Sequence, residues 1–354
     1  MSWVVNRSWR SLGIGLIAAC SLWGSAQVHA AASGCAANTL RGVSFAGAEF
    51  NAGQLPGVLY RDYMYPSASQ YGLFSGYGAS VYRLPVIWER LQPVLGGALA
   101  ADQVQQLKAA YAGAKAQGDC LVIDLHNYGN YRGNPLGSTS VPVTAFQDFW
   151  LQVAKVLPDD AYVAFGLMNE PVAVSNAAWV QYAQATVLRL RASGVPHYVW
   201  VSGGGWNGGQ SWFTQDGSGI SNAKALASFQ DPRNRTYIEV HQYADADYSG
   251  TGATCQASDA IVAKLQAVSD WAEQNGKRLV LGEFGVPDNA ACLTTLQGML
   301  AHMQSRSKAW AGWTYWAAGE WMTEYPLTVQ PTATRTPKQL QLLKQYFNSS
   351  RLVR

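Results

Sequence analysis

Eight short runs of almost purely apolar residues recur along this chain, at 42–46, 80–84, 121–125, 163–168, 198–202, 236–240, 278–282 and 311–315. They do not alternate apolar with polar, so as strands they must be covered on both faces, as in a parallel sheet. Between them lie stretches with helical spacing, at 102–117, 142–157, 176–192, 258–275, 289–305 and 337–348. In the stretch at 102–117, Val104, Leu107, Ala110 and Tyr111 recur at helical spacing, and Asp102 is placed to cap the helix. The segments that should supply the first and fifth helices carry a weaker pattern. Strand and helix in turn, eight times over, predict an α/β fold of one domain, a closed (β/α)8 TIM barrel. An open doubly wound sheet is the alternative arrangement of the same elements.

The first 30 residues stand apart from this pattern. Arg7 and Arg10 precede a mostly apolar stretch from Ser11 to Trp23, shorter than the roughly 20 residues a membrane-spanning helix needs. Small residues follow, up to Ala30. This is the pattern of a secretory leader cut after Ala30, which leaves 31–354 as the folded domain and makes the mature protein extracellular. Ile17-Ala18-Ala19-Cys20 also reads as a lipoprotein signal, in which case a lipid on Cys20 anchors the protein. No later segment is apolar for long enough to cross a bilayer as a helix. Without the leader, 23 of the 25 basic residues face 22 acidic ones. A chain so near neutrality does not advertise nucleic acid or an anionic membrane as partner.

Four cysteines follow the leader: Cys35, Cys120, Cys255 and Cys292. In an exported chain an even number favours disulfides, with three connectivities open. No C-x-x-C pair is present, so zinc-ribbon and redox readings lack support. Eleven of the 14 tryptophans also follow the leader, among them Trp88, Trp206, Trp212, Trp316 and Trp321. About half should be core. The rest suit stacking against the apolar C–H face of a pyranose.

In a barrel, catalytic side chains come from the C-terminal ends of several strands. Read in order, those ends carry Arg83, then Asp124-Leu125-His126-Asn127-Tyr128, Asn169-Glu170, His241-Gln242-Tyr243, Glu283 and Trp316. Singly, each has a bland use: an arginine as ion-pair partner, a histidine satisfied in the core, Asp124 facing the barrel interior or a neighbouring strand. Their joint occurrence at successive strand ends is harder to dismiss. Glu170 and Glu283 supply two carboxylates from two strand ends, the pair that cleaves a glycosidic bond by protonating the leaving oxygen and attacking the sugar carbon.

These phrases together resemble glycoside hydrolase family 5, the largest group of cellulases, over about residues 40–330. The matching positions are Arg83 in Tyr82-Arg83-Leu84-Pro85, His126 in Leu125-His126-Asn127-Tyr128, and Asn169 with Glu170 in Met168-Asn169-Glu170-Pro171. They continue with His241 and Tyr243 in Val240-His241-Gln242-Tyr243, Glu283 in Gly282-Glu283-Phe284-Gly285, and Trp316 in Tyr315-Trp316-Ala317. The phrases around Gly42–Gly47 and Cys120–Tyr128 are similar to the subfamily of fungal and bacterial endo-β-1,4-glucanases. The resemblance implies a retaining double displacement, with Glu170 as acid and then base and Glu283 as nucleophile. It implies that Arg83 and Tyr243 hold Glu283 as an anion, that Asn169 grips the sugar 2-hydroxyl, and that His126 and His241 bind hydroxyls or orient Glu170. Trp316 would stack beneath the sugar at the cleavage point, with Trp206 and Asn127 as further substrate contacts. The same resemblance pairs Cys255 with Cys292 and so leaves Cys35 to Cys120.

Gly203-Gly204-Gly205-Trp206-Asn207-Gly208 matches G-x-G-x-x-G after a strand, yet no helix opens at Gly208. Its glycines suit tight turns or a close approach of backbone. H-E-x-x-H, P-loop and G-x-S-x-G motifs are missing, so no cofactor or metal is expected. The expected partner is a β-glucan polysaccharide or oligosaccharide acted on by a monomer with no obligatory protein partner. Rival readings are an endo-hydrolase of mannan, lichenan or xyloglucan, and a non-catalytic glycan-binding barrel. No appended binding module is visible after the barrel, so soluble or amorphous chains are the expected substrates.

Overall fold

The apolar runs become strands whose side chains divide by twos. In the computed structural model, which describes residues 1–3, 34–37 and 39–347, β1 spans Leu40–Phe45, β2 Val81–Val86, β3 Cys120–Leu125 and β4 Val163–Gly166. Strand β5 spans Tyr198–Ser202, β6 Thr236–His241, β7 Leu279–Glu283 and β8 Trp310–Ala318. Each pairs in parallel with the next, and β8 pairs with β1, which closes the barrel and excludes the open sheet. The predicted cleavage site at Ala30 and Cys20 lie outside the described residues.

Alternation sorts each strand between two cores. Leu40, Val81, Val122, Ala164, Trp200 and Val280 pack on one another inside the barrel. Tyr82, Leu84, Leu121, Ile123 and Phe165 belong to the larger core beneath the helices. Two residues beyond Val81, Val122 and Tyr237 in their strands stand Arg83, Asp124 and Glu239, all buried. The barrel interior thus changes from an apolar plug to a charged layer towards its C-terminal mouth.

The intervening helices are α1 Ala68–Gly76, α2 Ala101–Ala116, α3 Val143–Val156 and α4 Asn176–Ala192. They continue as α5 Asn222–Ala227, α6 Ser258–Gln274, α7 Ala290–Ser305 and α8 Lys338–Leu343. The weakly written first and fifth helices prove short, at nine and six residues. Side chains of Ser175, Ser221 and Asn289 cap α4, α5 and α7 by accepting backbone N–H bonds. The expected cap at Asp102 does not form. Helix α2 starts one residue earlier, Ala100 takes the cap position, and the Asp102 carboxylate accepts instead from Gln103 Nε2 at 2.9 Å.

Two disulfides form, Cys35–Cys120 and Cys255–Cys292. Cys35 and Cys120 sit in the interior plug. Cys255 and Cys292 tie the loop after β6 to the first turn of α7. Structural disulfides of this kind belong to proteins of oxidising compartments.

Candidate active site

Six strand ends deliver their polar side chains to one place. Arg83 lies at its base, fully buried, and its three nitrogens point three ways. Nη1 donates to Glu283 Oε1 at 2.8 Å, Nη2 donates to Asn169 Oδ1 at 2.6 Å and lies 3.1 Å from Asp124 Oδ2, and Nε lies 3.1 Å from Glu239 Oε1. Burial opposes the charge on Arg83, but Asp124, Glu239 and Glu283 together raise its pKa, so the guanidinium stays charged.

Glu283 ends β7, where the ladder to β6 shifts register between Val240 and His241. Its second oxygen, Oε2, accepts from the Tyr243 hydroxyl at 3.0 Å and lies 3.7 Å from His241 Nδ1. Burial would raise this carboxyl, but His241, Arg83 and His126 outweigh burial and hold it below the ordinary glutamate value. Burial and the neighbouring Glu283 charge push Tyr243 well above its ordinary value, so its phenol remains a donor.

Glu170 follows β4 in the left-handed backbone region at φ 37°. A β-carbon there is strained by about 1–3 kcal/mol and persists only where surrounding structure dictates it. Here Val172 N–H donates to the Glu170 carbonyl at 2.6 Å, and Ala173 N–H to the Tyr128 carbonyl at 3.1 Å. Glu170 Oε1 is 2.8 Å from His241 Nδ1. One oxygen of Glu170, one of Glu283 and a ring nitrogen of His241 all lie within 4.8 Å of one another. Burial would discharge His241, yet Glu283, Glu170 and Glu239 push it up to about 10, so a cation sits between the two glutamates.

His126 Nδ1 pairs with Asp124 Oδ2 at 2.9 Å, and its Nε2 lies 3.4 Å from Asn169 Nδ2. Asp124 therefore has the interior, structural place expected of it. Trp316 lies within β8, its ring 5.7 Å from that of His126 and nearly parallel to it at 12°. It lines an open cleft of about 680 Å³ together with Glu49, Phe50, His126 and Tyr128. A second cleft of about 250 Å³ is lined by Glu170, Trp206, His241, Tyr243 and Tyr248. The facing glutamates lie between the two, since Glu170 borders the second and His126 and Trp316 the first.

All ten predicted site residues come to this mouth, but not in one role. Trp206 is 62 % exposed and so is no core residue, while Trp212 and Trp88 are fully buried. Asn127 lines the first cleft, yet its amide is spent inside the protein. Oδ1 accepts from Trp88 N–H at 2.7 Å, and Nδ2 donates to Glu89 at 2.6 Å and to the Asn130 carbonyl at 3.2 Å. It braces the loop after β3. Gly203 and Gly204 are packing positions, where a β-carbon would strike Asn207 or Asn176 within 3 Å, whereas Gly205, at φ 60° with nothing within 4 Å, serves the turn. Sequence reasoning missed Glu239, Glu49 and Tyr248. Glu49, almost buried on the wall of the first cleft, is raised by burial to about 7 against the pull of His126 and Arg83.

A parallel barrel whose mouth opens two facing carboxylates into a cleft with aromatic walls has the layout of a glycosidase. The chain matches the family model for cellulase, glycosyl hydrolase family 5, over residues 42–319. It belongs to that family. It is 42% identical to the crystal structure of an endo-beta-1,4-glucanase from Xanthomonas axonopodis pv. citri, with a TM-score of 0.84 over 87% of this chain and 98% of that one. A structure of XacCel5A in complex with cellopentaose is likewise 42% identical, with a TM-score of 0.83 over the same shares. Endo-beta-1,4-glucanase A of Emericella nidulans is 33% identical over 315 residues, 88% of this chain and 93% of its own length.

Proposed function

We propose that the protein is a retaining endo-β-1,4-glucanase that hydrolyses internal bonds of cellulose and related β-glucans, exported through its leader and active as a monomer. The observation that carries this reading is the approach of Glu170 and Glu283 to within 4.8 Å. Retaining glycosidases hold their carboxyl groups about 5–5.5 Å apart, whereas inverting ones need roughly 6.5–9.5 Å to admit a water. In the first step Glu170 gives its proton to the glycosidic oxygen as the C1–O bond breaks, and Glu283 bonds to C1. In the second, Glu170 takes a proton from water, whose oxygen displaces Glu283. Arg83 and Tyr243 keep Glu283 anionic and aimed. His241, charged, faces the anion that Glu170 becomes.

The acid marks the side of the leaving group. The cleft lined by Glu170, Trp206 and Tyr248 then takes the departing chain, and the larger cleft beside Trp316 takes the sugar that bonds to Glu283. An open cleft on both sides suits attack within a chain. The relatives named as endo-beta-1,4-glucanases, and the neighbour bound to cellopentaose, support β-1,4-glucan as the substrate. The test is turnover of carboxymethylcellulose. Glu170→Ala and Glu283→Ala should each lower it by several orders of magnitude, and azide should rescue Glu283→Ala to an α-glycosyl azide. Ordinary activity in Glu283→Ala refutes the assignment.

A further inference from the structure

Glu239 is a third carboxylate beneath the pair, 1 % exposed and so out of reach of any substrate. Its Oε1 lies 3.1 Å from Arg83 Nε and 3.4 Å from His241 Nε2. Each of those cations holds one of the facing glutamates at 2.8 Å on its other side, Arg83 on Glu283 and His241 on Glu170. A single oxygen therefore touches both supports. The space it fills exists because residue 282 has no side chain: a β-carbon there would lie 1.9 Å from Glu239 Oε1. The glycine preceding Glu283 is thus the socket for Glu239.

We infer that Glu239 is a positioning residue for the reaction, one oxygen that sets His241 on Glu170 and Arg83 on Glu283. This rests on the glucanase reading. The charged and titratable groups around Glu239 are Arg83 from β2, Asp124 and His126 from β3, Glu170 after β4, His241 and Tyr243 from the β6 end, and Glu283 from β7. Among them His241 has two ring nitrogens and two acceptors, Glu170 and Glu239, so it is held as a double donor. With Glu239 in place, His241 remains charged when Glu170 loses its proton, and it stabilises the new carboxylate at the moment the leaving group departs. Removal of the Glu239 charge takes away one of the three carboxylates around the imidazolium, so the ring deprotonates at lower pH and the acid loses that support.

The experiment is Glu239→Gln in the full mature protein, which keeps the volume and the acceptor oxygen. Two substrates are compared over pH 5–10, cellotetraose and 2,4-dinitrophenyl β-cellobioside, whose leaving group needs little protonation. Glu239→Gln should lose about 10²-fold in kcat/KM on cellotetraose and several-fold less on the aryl glycoside, and the alkaline limb of the pH profile should move to lower pH. An equal loss on both substrates with an unmoved limb makes Glu239 a brace only and overturns the inference, as does unchanged activity. If the variant does not fold, ¹⁵N resonances of His241 in the wild type decide. A doubly protonated ring at pH 8 is expected, and a neutral ring overturns it. A wild type inactive on both substrates would instead defeat the glucanase reading itself.

Discussion

Gly282→Ala is the smallest change that should damage this site without touching a catalytic group. The added methyl would lie 1.9 Å from Glu239 Oε1 and 2.6 Å from its Cγ and Cδ. Ordinary contact requires about 3.4 Å or more, so Glu239 must retreat by more than an ångström. It has nowhere to go at constant energy, because its oxygen is tied to Arg83 at 3.1 Å and His241 at 3.4 Å in a fully buried layer. Overpacking a core costs about 1–3 kcal/mol, and breaking a buried ion pair about 3–5 kcal/mol. A loss of roughly 4 kcal/mol is expected, a fall in Tm of about 6 °C for a domain of this size at about 2.1 cal/mol/K per residue. Calorimetry and turnover of carboxymethylcellulose measure the two effects. Gly53→Ala is the control: nothing lies within 4 Å of its β-carbon, so its stability should stay within about 0.5 kcal/mol. Gly282→Ala combined with Glu239→Ala relieves the clash but leaves Arg83 and His241 without that partner, so it should recover neither full stability nor activity. A Gly282→Ala protein that melts within 2 °C of wild type, at full turnover, would refute the reasoning.

Four further outcomes are expected. Stability should depend on pH through His241: its contribution is full below about 6.5, the unfolded value, and is lost as pH rises through about 10. Denaturant midpoints for wild type and His241→Ala should therefore converge above pH 10. On the acid side Glu283, held below its ordinary value, adds stability above about 4.3 that disappears as pH falls through its depressed pKa, so Glu283→Gln should flatten that limb. Trp206→Ala, at an exposed position, should leave Tm unchanged yet weaken binding of cello-oligosaccharides that reach the leaving-group side; unchanged binding would remove Trp206 from the substrate path. Reduction of Cys255–Cys292, which spans 37 residues, should cost about 4 kcal/mol by the chain-entropy relation, read as a lower denaturant midpoint in Cys255→Ser/Cys292→Ser.

The barrel was legible because burial on both faces leaves a mark, and each of the eight runs became a strand. Arg83, Glu170 and Glu283 were legible for a related reason: a charge that ends an apolar run stands out. Glu239 did not, because it lies within a strand two residues before His241 and reads as an ordinary interruption. Only the register across β6 and β7 shows that Gly282 makes room for it. Trp206 and Trp212 are equivalent in sequence, and packing against Trp271 makes the second a core residue. Asn127 sat in the right phrase, but the demands of Trp88 and Glu89 on its amide come from a one-turn helix at Trp88–Leu91 that no motif announced. Asp102 failed as a cap because a single residue of extra helix moved it into the first turn.

A covalent intermediate on one named side chain is the most direct test of the pairing of Glu170 with Glu283. The protein is incubated with a 2-deoxy-2-fluoro-β-cellobiosyl fluoride, which reacts in the first step and stalls before the second, and is then digested and mapped by mass spectrometry. A glycosyl group on the peptide containing Glu283, absent from Glu283→Gln, is the predicted result. The sugar on Glu170, or hydrolysis with inversion and no adduct, would contradict it.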